Sequence, residues 1–191
     1  VLGWFVSHRP PGALDMAAHE VFYGRALSVA AFFTQSGRFP AYAVLCAVSL
    51  AFGIVRRSWF WRALIAVVTL VGAWIVSDLY KDHFMRARPP AQLVFHEPSF
   101  SYASGHATLA LTFYGAWALY AWRSDLELPV RRALVAFVAL VVLAIGLSRL
   151  ALGAHYLTDV IGGYLLGATF LCILAAATRS LAPEKQNPFG R

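Results

Sequence analysis

Charge is scarce in this sequence. Only 13% of its 191 residues are Asp, Glu, Lys or Arg, where a soluble domain carries about 25%. So little polar sequence cannot coat a soluble helical protein of this length. With 60% hydrophobic residues and a mean hydropathy of +0.63, the composition is that of a membrane protein. The net charge of +7 does not describe a nucleic-acid binder, because no solvated basic face exists to present it. Positive loops beside a membrane, or a site for anionic substrates, account for the excess. Cysteine is nearly missing as well. Cys46 and Cys172 lie deep in apolar runs, form no CxxC pair and have no metal-ligand spacing, so they read as packing residues. There is no internal repeat and no low-complexity tract, and the length fits one domain over residues 1–191.

What fills the chain is apolar. Five stretches are candidate spans: Phe39–Val55, Ser58–Ser77, Ala107–Trp122, Ala133–Ser148 and Val160–Thr178. A spanning helix needs about 20 residues. Flanking Arg, Lys, Trp and Tyr side chains can snorkel and lengthen the shorter runs. Residues 1–6 are apolar and are then broken by Ser7-His8-Arg9-Pro10-Pro11-Gly12. They are too short to span and lack the charged start of a signal peptide, so the expectation is the remnant of a first span. Residues 13–33 mix Asp15, His19, Glu20 and Arg25 with Met16, Val21, Phe22 and Phe32. That mixture reads as a helix lying at the membrane interface, or as a plain surface helix. Thr34-Gln35-Ser36-Gly37 makes a turn before Pro40, a residue suited to a helix start. The tail from Ala182 to Arg191 is polar and reads as a frayed end.

Basic residues set the orientation. One set of connections holds Arg56, Arg57, Arg62, Arg123, Arg131, Arg132, Arg179, Lys185 and Arg191. The other holds Arg9, Arg25, Arg38, Lys81, Arg86, Arg88 and Arg149. Lys81, Arg88 and Arg149 have a separate explanation as site candidates. Without them the count is nine against four, which places the first set in the cytoplasm.

Three polar clusters interrupt the apolar segments: Lys81–Pro89, Ala103–His106 and Ser148–Asp159. Alternating spans bring all three to one face. Lys81, Arg88 and Arg149 then crowd together, with Asp159 the only clear anion among them. Such a set is costly near lipid and is a functional-site hypothesis by default. A phosphate group would neutralise it, and the planar fork of arginine matches phosphate oxygens. Ser104 adds a hydroxyl. The N–H groups of Gly105 and His106 open a helix, where the macrodipole favours anions, and Gly105 permits close approach. His155 and Asp159 are four apart, on one face of a helix, where the carboxylate can accept from one ring nitrogen and raise the basicity of the other. That prepares His155 as a nucleophile toward phosphorus, while His106, from another helix, can protonate the departing oxygen. Each element alone is bland: a lone His is usually a satisfied polar residue, and a Lys or Arg at a helix end is usually an anchor. The joint, ordered pattern is not.

That pattern resembles the type 2 phosphatidic acid phosphatase superfamily (PAP2), in its membrane-bound lipid phosphatase branch. The KxxxxxxRP motif is matched by Lys81, Arg88 and Pro89. The PSGH motif is matched by Ser104, Gly105 and His106, and SRxxxxxHxxxD by Ser148, Arg149, His155 and Asp159. The resemblance implies an all-α integral membrane bundle of six spans, here with the first truncated and five complete within residues 39–178. It implies phosphate ligation by Lys81, Arg88, Ser104, Gly105 and Arg149. It further implies a phosphohistidine on His155, Asp159 as its partner and His106 as the acid, with no metal and no other cofactor. The expected substrate is a membrane lipid phosphate such as undecaprenyl diphosphate, phosphatidylglycerol phosphate or phosphatidic acid. It would be taken from the bilayer at the outer face of an inner membrane. Ala103 stands where the family usually has proline, which predicts slightly looser preorganisation rather than lost activity.

Two rivals use the same residues differently. A non-enzymatic phospholipid-binding or transport protein would need the cations but not a nucleophile–acid pair. A vanadium-dependent haloperoxidase would share the cradle, but those relatives are soluble.

Overall fold

The computed structural model describes residues 2–94 and 96–179, so the tail from Ala182 lies outside the described residues. Among these the chain is helical, without strands. The elements are α1 (Leu2–Ser7), α2 (Ala13–Phe22), α3 (Leu27–Gln35), α4 (Phe39–Val55), a short 3₁₀ turn at Arg57–Trp59, α5 (Phe60–Phe84), α6 (Gly105–Trp122), α7 (Leu128–Ala151) and α8 (Leu157–Ala177). Each of the five apolar runs is a helix, and several run past the apolar stretch. α5 has 25 residues and α7 has 24, about 37 Å each at 1.5 Å per residue, more than the hydrocarbon thickness. The extra turns carry Lys81 and Arg149 to the helix ends.

By length and composition, α7, α8 and α5 with its 3₁₀ turn can each cross a membrane, and α3 with α4 forms a fourth candidate bent by 45°. The exposed apolar residues of α4, α5 and α7, among them Val48, Ile54, Val68, Ile75, Phe137 and Leu140, form the lipid-facing surface. α6 falls outside that group because it is the central helix. It packs against α5, α7 and α8, and buries Ala107, Ala110, Phe113 and Ala116 with Thr108 and Thr112. Those two hydroxyls donate to backbone carbonyls of their own helix, at 3.0 and 2.8 Å, which makes their burial tolerable.

α6 approaches α8 over glycine. A Cβ on Gly163 would lie 2.5 Å from the carbonyl oxygen of Ser104, and one on Gly167 would lie 2.7 Å from that of Thr108. Small residues four apart let helices pack closely where lipid supplies no hydrophobic drive.

The single helix expected over residues 13–33 is instead two. α2 ends at Phe22, Gly24 takes a positive φ of 73°, and α3 starts after Ala26. The break has a cause in packing: the Gly24 N–H donates to the carbonyl of Ala151 at 2.9 Å, and Ala30 packs on Ala151 and Leu152. The segment is therefore held against the end of α7 rather than lying apart from the bundle. The turn expected over 34–37 begins two residues late, since Thr34 and Gln35 are still helical. Gly37 sits in it because a Cβ there would fall 2.6 Å from the His106 ring.

The helix alternation puts the end of α5, the start of α6, the end of α7 and the start of α8 at one end of the bundle. The Ser104 N–H donates to the carbonyl of Asp159 at 3.0 Å, and Arg88 donates to that of Ala154 at 2.7 Å. Arg62, Tyr120, Arg123 and Thr178 meet at the opposite end.

Candidate active site

A cavity of about 470 Å³ opens where the three polar clusters meet. Lys81, Arg88, Gly105, His106, Arg149 and His155 all line it. Ser104 and Asp159 are fully buried behind its wall. Its other side is apolar and comes from α4 and α5, with Tyr42, Cys46, Leu70 and Trp74 among the lining residues. α6 starts at Gly105 with Ser104 as N-cap, so its first N–H groups and His106 face the cations.

Local structure fixes each side chain. Lys81 lies on the last turn of α5 and donates to Asp78 at 2.7 Å. A Cβ on Gly105 would stand 3.4 Å from the Lys81 ammonium, so the glycine keeps this approach open. Arg149, only 1% exposed, donates to the Thr34 hydroxyl and, at 2.9 Å, to the Glu97 carboxylate. Arg88 leaves the helical segment and is threaded through carbonyls. Its Nε donates to Ser99 at 2.6 Å, and one terminal nitrogen donates to Ala154 and reaches His155 Nε2 at 3.1 Å.

That last contact assigns the imidazole tautomer. A guanidinium can only donate, so Nε2 carries the lone pair that accepts from Arg88, and the proton resides on Nδ1. On the Nδ1 side the Ser101 hydroxyl stands at 3.3 Å, and it donates to Asp159 Oδ2 at 2.5 Å. The direct His155–Asp159 hydrogen bond expected from the sequence is instead a 3.7 Å contact with Ser101 alongside. The reason is local. His155 precedes α8 rather than lying in it, and the Asp159 carboxylate accepts the Tyr156 N–H at 2.8 Å as a cap of that helix.

Electrostatics hold the ring neutral. Burial pushes the His155 pKa down to about 3, with Arg88 and Arg149 adding to the effect and the Asp159 carboxylate opposing it. Burial also lowers Arg88, against the pull of Glu97 and Asp159. Glu97 is the reverse case. Burial would raise it, but Arg149 first and then Arg88 hold it below the usual carboxylate range. Ser104 Oγ, His106 Nε2 and Arg149 Nε are buried without a hydrogen-bond partner among the described residues.

A protein-family model matches residues 60–181, and its description is the PAP2 superfamily. The chain belongs to the PAP2 superfamily. The phosphatidylglycerophosphatase B of Bacillus subtilis is 31% identical over 108 residues, which are 56% of this chain and 53% of that protein. The lipid A 1-phosphatase of Rhizobium johnstonii is 31% identical over 125 residues, 60% of this chain and 47% of that protein. The chain thus spans about half the length of the curated relatives it matches. The crystal structure of a transmembrane PAP2-type phosphatidylglycerolphosphate phosphatase from Bacillus subtilis superposes with a TM-score of 0.77 at 23% identity, covering 91% of this chain and 86% of that one. That of Aquifex aeolicus LpxE gives 0.65 at 19% identity, covering 85% and 93%. At these identities the structures speak for the fold, a PAP2-type multi-pass membrane bundle.

Within this PAP2 fold, sequence reasoning missed several residues that meet the site. Asp159 is not the only anion: Glu97 pairs with Arg149, and Asp78 with Lys81. Asp15, expected on an interfacial or surface helix, is 2% exposed and pairs with Arg86 at 2.8 Å. Arg86, counted above among the orientation charges, is itself buried at 5%. No spacing rule could find these partners, because 71 to 73 residues separate Arg86 from each of its carboxylates. Only Arg86 carried a local signal, lying two residues before Arg88 in the same cluster.

Proposed function

We propose that this PAP2 protein hydrolyses a phosphate monoester or diphosphate carried on a membrane lipid, through a phosphohistidine. In the first step the Nε2 lone pair of His155 attacks phosphorus, the bond from phosphorus to the lipid oxygen breaks, and His106 gives that oxygen a proton. Lys81, Arg88, Arg149 and the N–H groups at the start of α6 stabilise the equatorial oxygens as negative charge builds. In the second step His106 takes a proton from water, the water oxygen bonds to phosphorus, and the phosphorus–nitrogen bond breaks to release inorganic phosphate.

The observation that carries this reading is the shared cavity. Six of the eight candidate site residues face one space whose other wall is apolar. Phe39 and Trp74 line it too and are 66% and 45% exposed on the outside of the bundle. A lipid can keep its chain against α4 and α5 while its phosphate meets His155. The names of the relatives point to phosphatidylglycerol phosphate or the 1-phosphate of lipid A; phosphatidic acid and undecaprenyl diphosphate fit the same chemistry. The site faces outward across an inner membrane in this proposal. With Arg86 buried in an ion pair, the orientation count supports that side more strongly, at nine basic residues against three.

Phosphate release by the purified protein over a panel of these lipids tests the proposal. The wild type turns over at least one, and His155→Ala turns over none. Equally absent release by both proteins on every lipid would hand the site to a phospholipid-binding role.

A further inference from the structure

A buried ion assembly lies behind His155, on the side away from the cavity. Arg86 donates from one terminal nitrogen to Asp159 Oδ1 at 2.5 Å and to the Thr158 hydroxyl at 2.7 Å. Its other terminal nitrogen donates to Asp15 Oδ2 at 2.8 Å. Asp15 also accepts the Thr158 N–H at 2.9 Å and the Thr158 hydroxyl at 2.9 Å. The guanidinium carbon stands 4.6 Å over the Tyr156 ring. Asp15, Arg86 and Asp159 are 2%, 5% and 0% exposed. Arg86 does not line the cavity, whereas Arg88, two residues on, does.

A buried charge triad is not explained by stability, since well-packed apolar residues often replace one without loss. The arrangement has a direction instead. Arg86 occupies Oδ1 of Asp159, which leaves Oδ2 for Ser101 and the Nδ1 side of His155. Asp15 occupies the other half of the fork, so two carboxylates share one guanidinium. The assembly keeps a net negative charge next to a ring that becomes cationic as Nε2 bonds to phosphorus.

We propose that Arg86, anchored by Asp15, is a positioning residue that holds Asp159 in the orientation and charge state that support His155 during phosphoryl transfer. This rests on the phosphohistidine reading given above. The amphipathic α2 thereby belongs to the catalytic apparatus although it contributes nothing to the cavity wall.

The test uses the full chain in detergent with a lipid phosphate that the wild type hydrolyses, and inorganic phosphate as competitive inhibitor. Arg86→Gln lowers kcat by about 100-fold, with KM and the phosphate inhibition constant within about threefold of wild type. Arg86→Lys regains about tenfold of that loss, because an ammonium reaches one carboxylate but not both. Asp15→Asn keeps the shape but leaves one acceptor oxygen where the carboxylate had two, so it retains the Thr158 N–H bond and loses the acceptor that holds Arg86, and it lowers kcat by about tenfold with KM unchanged. Phosphate affinity falling in step with kcat in Arg86→Gln would make Arg86 part of the cradle and overturn the proposal. So would an Arg86→Gln protein at the wild-type rate. If Arg86→Gln does not fold, Asp15→Asn decides alone, and an unchanged kcat there refutes the role. Wild-type protein inactive on every lipid sinks the enzyme reading and this role together, whereas an active wild type with wild-type-like variants sinks only this role.

Discussion

Replacing Gly163 with alanine should loosen the joint on which the two histidines meet. The new Cβ would lie 2.5 Å from the Ser104 carbonyl oxygen and 3.0 Å from the Ala107 Cβ. Neither neighbour is a side-chain end that can swing away, so α8 must move from α6 by at least about half an ångström to reach ordinary contact. Overpacking of this kind costs about 1–3 kcal/mol, or roughly 2–10 °C of melting temperature at this size. The displacement falls between the element that presents His155 and the one that presents His106. A misplacement of about 1 Å costs on the order of 100-fold in rate, so half of that predicts about a tenfold loss of kcat. Gly72→Ala is the control. Its Cβ would meet only the Phe170 ring, at 3.4 Å, and the substitution adds helix propensity of up to about 1 kcal/mol. Thermal melts in detergent and phosphate release from a lipid substrate give both quantities for both proteins. Gly163→Ala with the melting point and rate of wild type would refute the reasoning, as would equal losses in the two variants.

Acid should destabilise the wild type partly through His155. Its ring titrates at about 3 in the folded chain and near 6.5 when unfolded, so between those values the unfolded state binds more protons. Stability then falls by up to about 1.4 kcal/mol for each pH unit below 6.5. His155→Gln cannot take up that proton, and melts at pH 7 and pH 4 should differ less for it than for wild type. Glu97 accepts from Arg149 at 2.9 Å, and under the proposed reaction it would compete with phosphate for that guanidinium. Removing its charge in Glu97→Gln should tighten inhibition by inorganic phosphate about tenfold, in line with about 1.5–3 kcal/mol for a charged hydrogen bond; weaker inhibition would contradict this. Turnover should survive excess chelator, since the proposed steps use only protein groups; loss of activity restored by one divalent ion would overturn that.

The extent to which this could be read beforehand follows from the range of each interaction. Helices α4 to α8 announce themselves through apolar runs because lipid-facing burial acts residue by residue. The cavity was legible for the same reason, since alternating spans carry Lys81, Arg88, His106, Arg149 and His155 to one end. What escaped depends on contacts across the fold. Asp15, Thr34 and Glu97 look like ordinary surface polar residues, and only the tertiary pairing with Arg86 and Arg149 reveals them. The His155–Asp159 spacing was correct as a count but wrong as geometry. The helix begins after the histidine, and Ser101 stands beside both groups.

The two-sided lining of the cavity bears on the fate of what is made there. Under the proposed reaction, the dephosphorylated lipid keeps its hydrocarbon against Trp74 and Phe39 and slips back among its neighbours. The liberated phosphate has no affinity for that medium and goes to water. Products dispersed into separate phases seldom meet again at His155, so back-reaction is suppressed without any moving barrier.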